Sequence, residues 1–162
     1  WVLKTPHHLL GGMSGLLKVF PGVPLVMTHR DVGQVLPSYC SMCASMSLGA
    51  STTYRREVQG AHWTSRFRTG LERFEAWRKT LPQGRIVDVR YEDTVADPVG
   101  TAGRVMQSIG LGFDDADRAA MEACIAANAR ENRPRHKYSA EEFGLTRAGI
   151  AADFAFYHDR YL

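Results

Sequence analysis

Cysteine is scarce: the 162-residue sequence has only Cys40, Cys43 and Cys124. An odd, low count makes a poor disulfide framework and fits a reducing compartment. No apolar run approaches the roughly 18 residues that span a bilayer, and no basic start, apolar centre and small-residue cleavage site mark a secretory leader. A soluble, cytoplasmic chain without a membrane span is therefore expected. Cys40-Ser41-Met42-Cys43 has no second pair and sits in an apolar helical pattern, which weighs against zinc or redox use. His7, His8 and His29 could converge on a metal, but supporting carboxylates are lacking, so no metal is expected. No Gly-x-x-x-x-Gly-Lys-Ser/Thr phosphate loop or Ser-Gly-Thr-Thr turn occurs. His29-Arg30-Asp31 is not followed by the asparagine and Asp-Phe-Gly of a kinase. Nor is there a large excess of one charge: 20 basic against 17 acidic residues give +3 at pH 7. That balance suits a small anionic ligand and falls short of a nucleic-acid-binding signature.

What is present suits one domain over residues 1–162, since 44% hydrophobic and 23% charged residues allow a sizeable core. The chain opens on Trp1-Val2-Leu3-Lys4 with no initiator Met and is expected to be the later part of something longer. Its first residues read as a short strand, and Thr5-Pro6 supplies a cap and a first-turn proline for a helix through Leu9, Leu10, Met13, Leu16, Leu17 and Phe20. Gly11 and Gly12 weaken that helix by about 1 kcal/mol each relative to Ala.

The stretch 23–38 organises the rest. An apolar run at 24–27 ends in Thr28-His29-Arg30-Asp31, and helical spacing follows through Val35, Leu36, Tyr39 and Cys40, with Asp31 placed as the cap. Ligands of α/β sheets bind at the carboxyl ends of strands, where helix N-termini offer N–H groups to anions. Arg30 is therefore a candidate phosphate ligand, with a surface ion pair to Asp31 or Glu92 as its alternative.

After a small-residue break at 49–52, residues 54–81 predict a long amphipathic helix whose stripe of Val58, His62, Trp63, Phe67, Leu71, Phe74, Trp77 and Leu81 should be core. Residues 85–91 predict a third strand, ending in Tyr91. Asp97-Pro98 starts a further helix, and 114–127 another with Met121, Cys124 and Ile125 inward. The basic segment 128–137 should be a surface loop. Ser139 to Glu142 is a capping-box pattern, and one last helix from Thr146 carries Phe154, Phe156, Tyr157 and Tyr161. Three strands alternating with helices, then a helical second half, predict an α/β fold with a parallel sheet.

With these elements placed, the chain resembles the cytosolic-type and bacterial sulfotransferases that use 3′-phosphoadenosine 5′-phosphosulfate (PAPS). Trp1 to His8 resembles the strand holding the family's catalytic lysine and histidine. Thr28 to Ser38 resembles its 3′-phosphate site, with Arg30 and Ser38 eight positions apart. Arg90-Tyr91-Glu92-Asp93 with Ala96-Asp97-Pro98 resembles the block carrying a tyrosine near the adenine. Arg135-His136-Lys137-Tyr138-Ser139 with Phe143-Gly144-Leu145 resembles the basic loop and terminal region of the bacterial branch. Val32 stands where that branch usually has proline, and the family's Gly/Ser/Thr-rich 5′-phosphosulfate loop is not among these residues.

The resemblance implies a partial P-loop-NTPase-like parallel sheet of about three strands. It also implies transfer of a sulfuryl group from PAPS, without a metal, to a hydroxyl or amine of a small-molecule or glycan acceptor, and inactivity of this chain alone. Acceptor-lining residues would come from the 47–53 break and the long helix. Lys4 would meet charge on the leaving side, and His8, in a Lys-x-Pro-x-His pattern, would be the base. His7 and a group outside this chain are the alternatives for the base. Tyr91 would lie near the adenine, or else be core. Arg135 and Lys137 would fold over the 3′-phosphate, or else be a solvated turn. Because eight helical residues span about 12 Å, Arg30 and Ser38 should share a phosphate only if the helix restarts near Pro37. A non-catalytic phosphate- or nucleotide-binding module is the alternative to an enzyme.

Overall fold

A computed structural model describes residues 2, 4, 8, 11–48, 53–128 and 137–162. The chain divides into two compact units, Trp1–Val23 with Asp31–Pro82 and Tyr138–Leu162, and Pro24–Arg30 with Gln83–Lys137.

The second unit holds the sheet. Strand β1 (Leu25–His29) pairs in parallel with β2 (Ile86–Arg90), in a register running from Leu25 opposite Ile86 to His29 opposite Arg90. Two strands are thus shown where three were predicted; Trp1 and Leu3 fall outside the described residues, and neither Val2 nor Lys4 is in a strand. β1 alternates its burial, leaving Val26 exposed, because a two-stranded sheet covers one face of a strand more easily than both. The chain leaves β2 directly into α4 (Tyr91–Ala96), so Tyr91 opens a helix and does not end the strand. Helix α5 (Pro98–Ser108) begins as predicted, with Asp97 accepting the Gly100 N–H at 2.8 Å and proline in the first turn. Asp114 and Asp117 form a reciprocal capping box at α6 (Asp115–Ala127). Only Met121 of that helix's expected inner face is half-buried; Cys124 and Ile125 are exposed.

The first unit is helical. α1 spans Met13–Val19. It starts later than predicted because Gly12 has φ 104°, a left-handed conformation that cannot continue a right-handed helix. Helix α2 runs unbroken over Val32–Leu48 with Pro37 inside it. The restart expected near Pro37 does not occur. A missing N–H at position 37 deprives only the first-turn carbonyl of Gly33, and burial of Val32, Leu36, Cys40 and Ala44 holds the helix through that loss.

Helix α3 (Arg56–Arg78) buries Leu71 and Phe74 together with Gly60 and Gly70. The predicted stripe is otherwise half-buried at Trp63, Phe67, Trp77 and Leu81, and exposed at Val58 and His62. Gly60 marks the reason. A Cβ there would lie 2.0 Å from the Phe143 carbonyl oxygen, so the 3-10 turn Glu141–Phe143 docks onto bare backbone. Ser139 and Glu142 cap that turn reciprocally, as predicted. The single last helix is instead α7 (Arg147–Asp153) and α8 (Ala155–Tyr161), broken at Phe154, which is fully buried. Ile150, Phe154 and Tyr157, spaced i, i+4 and i+7 as on one helical face, all reach the core.

Candidate functional site

Parallel register explains the most informative contact in the molecule. His29 and Arg90 are the last paired residues of β1 and β2, so Arg30 and Tyr91 each stand one step beyond the paired strands, side by side at their carboxyl ends. The Arg30 guanidinium carbon lies 4.0 Å from the centroid of the Tyr91 ring. A cation over an aromatic face is worth about 0.5–1 kcal/mol when exposed and about 2 when desolvated, and both residues are half-buried. Two of the residues singled out in the sequence, one for phosphate and one for adenine, are therefore brought together. Glu92 faces Arg90 at 4.0 Å.

Behind this pair sits a contact that sequence reasoning missed. His29 is buried, and its Nε2–H donates to Asp88 Oδ1 at 2.7 Å across the two strands. A hydrogen bond to a charged acceptor contributes about 1.5–3 kcal/mol, here at the strand ends from which Arg30 and Tyr91 emerge. The available signal was an acidic residue within Val87-Asp88-Val89, an apolar strand, but its partner depends on register. Among the described residues no three His, Cys, Asp or Glu side chains are grouped to hold a metal.

In the first unit, the N-terminus of α2 differs from the expected bare anion site. Asp31 Oδ1 accepts the Gly33 N–H at 2.8 Å, as its capping role predicts. The Val32 N–H donates to His158 Nε2 at 3.2 Å, and the Asp31 carbonyl takes the Gln34 and Val35 N–H groups. These donors are already used, so an anion here would rely on side chains. Ser38 is half-buried on α2, in its second turn. No local pattern pointed to His158, which is 126 residues from Val32.

Lys4 is exposed, and His8 is half-buried at a short turn where its carbonyl accepts the Gly11 N–H at 3.1 Å. Residues 5–7, which join them, lie outside the described residues, as do Arg135 and the break at 49–52. Lys137 is described and exposed. Burial first, and Cys43 second, push the Cys40 thiol up to about 11, so at neutral pH it stays protonated and inert. Tyr39 of α2 meets Trp63 edge-on at 4.7 Å and Phe67 at 5.2 Å. Near them, Tyr54 Oη and Trp63 Nε1 are buried without a hydrogen-bond partner among the described residues.

A sulfotransferase family model matches residues 1–115 of the chain. The sulfotransferase STF1 from Mycobacterium tuberculosis is 33% identical, with a TM-score of 0.80, over 96% of this chain and 39% of its own. The sulfotransferase STF9 from Mycobacterium avium is 24% identical, with a TM-score of 0.87, over 98% of this chain and 41% of its own, a likeness of fold. The chain thus spans about two fifths of the length of these solved relatives. A search of curated proteins returned no match.

Proposed function

Because the chain belongs to the sulfotransferase family, we propose that the full-length protein transfers a sulfuryl group from PAPS to a hydroxyl or amine of a small-molecule or glycan acceptor. This chain, in that reading, supplies the 3′-phosphate and adenine side of donor binding. The observation that carries the proposal is Arg30 stacked on Tyr91 just beyond the carboxyl ends of two parallel strands, the end at which α/β sheets take ligands.

Arg30 presents a planar fork of N–H donors to the 3′-phosphate, and Ser38 adds a hydroxyl. Tyr91 faces the adenine, while Arg135 and Lys137 add positive charge. Bound PAPS supplies an activated sulfuryl group whose loss leaves negative charge on the 5′-phosphate side. Lys4 offers that charge a compact ammonium, and His8 accepts the acceptor's proton on an imidazole nitrogen. The buried Tyr54 Oη and Trp63 Nε1 offer hydrogen bonds to the acceptor. Three free thiols support a reducing, cytoplasmic location.

The test is to incubate the full-length protein with radiolabelled PAPS and a panel of hydroxyl and amine acceptors, and to measure binding of adenosine 3′,5′-bisphosphate. Label on an acceptor is expected. Binding without transfer to any acceptor would make the protein a nucleotide-binding module, and loss of both would remove the proposal.

A further inference from the structure

We propose that Tyr91 is a positioning residue for Arg30, so that the protein's preference for a 3′-phosphorylated nucleotide depends on the Tyr91 ring. This rests on the donor reading above and adds a role for the tyrosine other than contact with the base.

An arginine at a strand end has a long, flexible side chain, with about 2 kcal/mol of rotamer entropy to lose when it is fixed. Here the guanidinium lies over a ring at 4.0 Å, and the backbone that carries the ring is anchored in three ways. Tyr91 is the first residue of α4, whose backbone follows β2 without an intervening loop. Thr101 Oγ1 donates to the Asp93 carbonyl at 3.1 Å, tying that first turn to α5. The hydrogen bond from buried His29 to Asp88 fastens the two strand ends from which Arg30 and Tyr91 depart.

Stacking uses the face of a guanidinium, whereas a phosphate takes the N–H groups along its edge. The two contacts are therefore compatible, and the first prepares the second. Fixing a ligating side chain before the ligand arrives lowers the ordering cost of binding. The gain belongs to the 3′-phosphate alone, because Arg30 has no such business with the rest of the nucleotide. A tyrosine acting through the base alone would instead favour every adenine nucleotide equally. The phenol hydroxyl is not needed for stacking, so phenylalanine should substitute.

The experiment compares adenosine 3′,5′-bisphosphate with adenosine 5′-monophosphate, by calorimetry, on the full-length protein carrying Tyr91→Phe, Tyr91→Leu, Arg30→Ala and the double change Arg30→Ala with Tyr91→Leu. Expected for Tyr91→Leu is a loss of bisphosphate affinity about tenfold greater than its loss of monophosphate affinity. Tyr91→Phe should stay within about twofold of the parent, and Tyr91→Leu should no longer change the preference for the bisphosphate once Arg30 is alanine. Measurable monophosphate binding also reports that the variant is folded. Equal weakening of both nucleotides, loss in Tyr91→Phe as large as in Tyr91→Leu, or no effect of Tyr91→Leu would each overturn the positioning role while leaving the donor reading intact. Failure of the unaltered protein to prefer the bisphosphate would overturn the donor reading, and the positioning role with it.

Discussion

Under the proposed function Arg30 and Lys4 carry different tasks, and the difference is measurable. Arg30 stands beyond the paired strand ends against Tyr91, suited to holding a phosphate that is charged before and after reaction. Arg30→Ala is expected to weaken adenosine 3′,5′-bisphosphate by about 10- to 100-fold, the worth of one charged hydrogen-bonded contact. Lys4→Ala should leave that affinity within about threefold and lower kcat by about two to three orders of magnitude, because its charge matters as the leaving side develops negative charge. Calorimetry and a transfer assay on the same preparations separate the two. Equal losses in both quantities would remove the division of roles. Arg30 was legible because an arginine ending an apolar run just before a capped helix has a local meaning. His29 was not, since its buried position gains sense only from Asp88 on the neighbouring strand.

Among the elements, α3 is the surface on which both later pieces of its unit dock, and two contacts test this. Gly60→Ala places a methyl 2.0 Å from the Phe143 carbonyl and 2.7 Å from Leu145 Cγ. Overpacking of that kind costs about 1–3 kcal/mol. Gly15→Ala in α1, where nothing lies within 4 Å of the added carbon, should instead be neutral or stabilising by up to about 1 kcal/mol. Urea denaturation of both variants checks the contrast.

At the far end of α3, Glu75 accepts a hydrogen bond from the Tyr161 hydroxyl of α8, and Arg160 pairs with the same carboxylate at 3.3 Å. Burial first, then the hydrogen bond and charge of Glu75, push the Tyr161 phenol from 10.0 up to about 12. A pKa raised in the folded state contributes stability that is complete below about 10 and is lost as pH rises through about 12, because the unfolded phenol ionises first. The denaturation midpoint should therefore fall between those pH values, and less steeply in Tyr161→Phe. A slope unaltered by that substitution would argue against the clasp. The helical stripe of α3 was legible as a pattern, yet which part of it is covered depends on where the turn at Phe143 and helix α2 land. A sequence pattern marks a face without naming its partner.

For the whole molecule, family membership came from the order of short blocks, each weak alone, on elements of compatible type. The pieces that encode locally were legible. Asp31, Asp97, Asp114, Ser139 and Thr146 all cap where their sequence neighbours say they should, because a cap acts over two or three residues. Element type and order, the parallel pairing expected of the α/β alternation and the candidate status of Arg30, Ser38 and Tyr91 belong to the same local class of information. The tertiary structure decided the rest: the stacking of Arg30 on Tyr91, the His29–Asp88 bond across 59 residues, the use of His158 to cap α2 across 126, and the continuity of that helix through Pro37. Each depends on strand register or on burial by distant segments, and chain-local propensities are too weak to specify either.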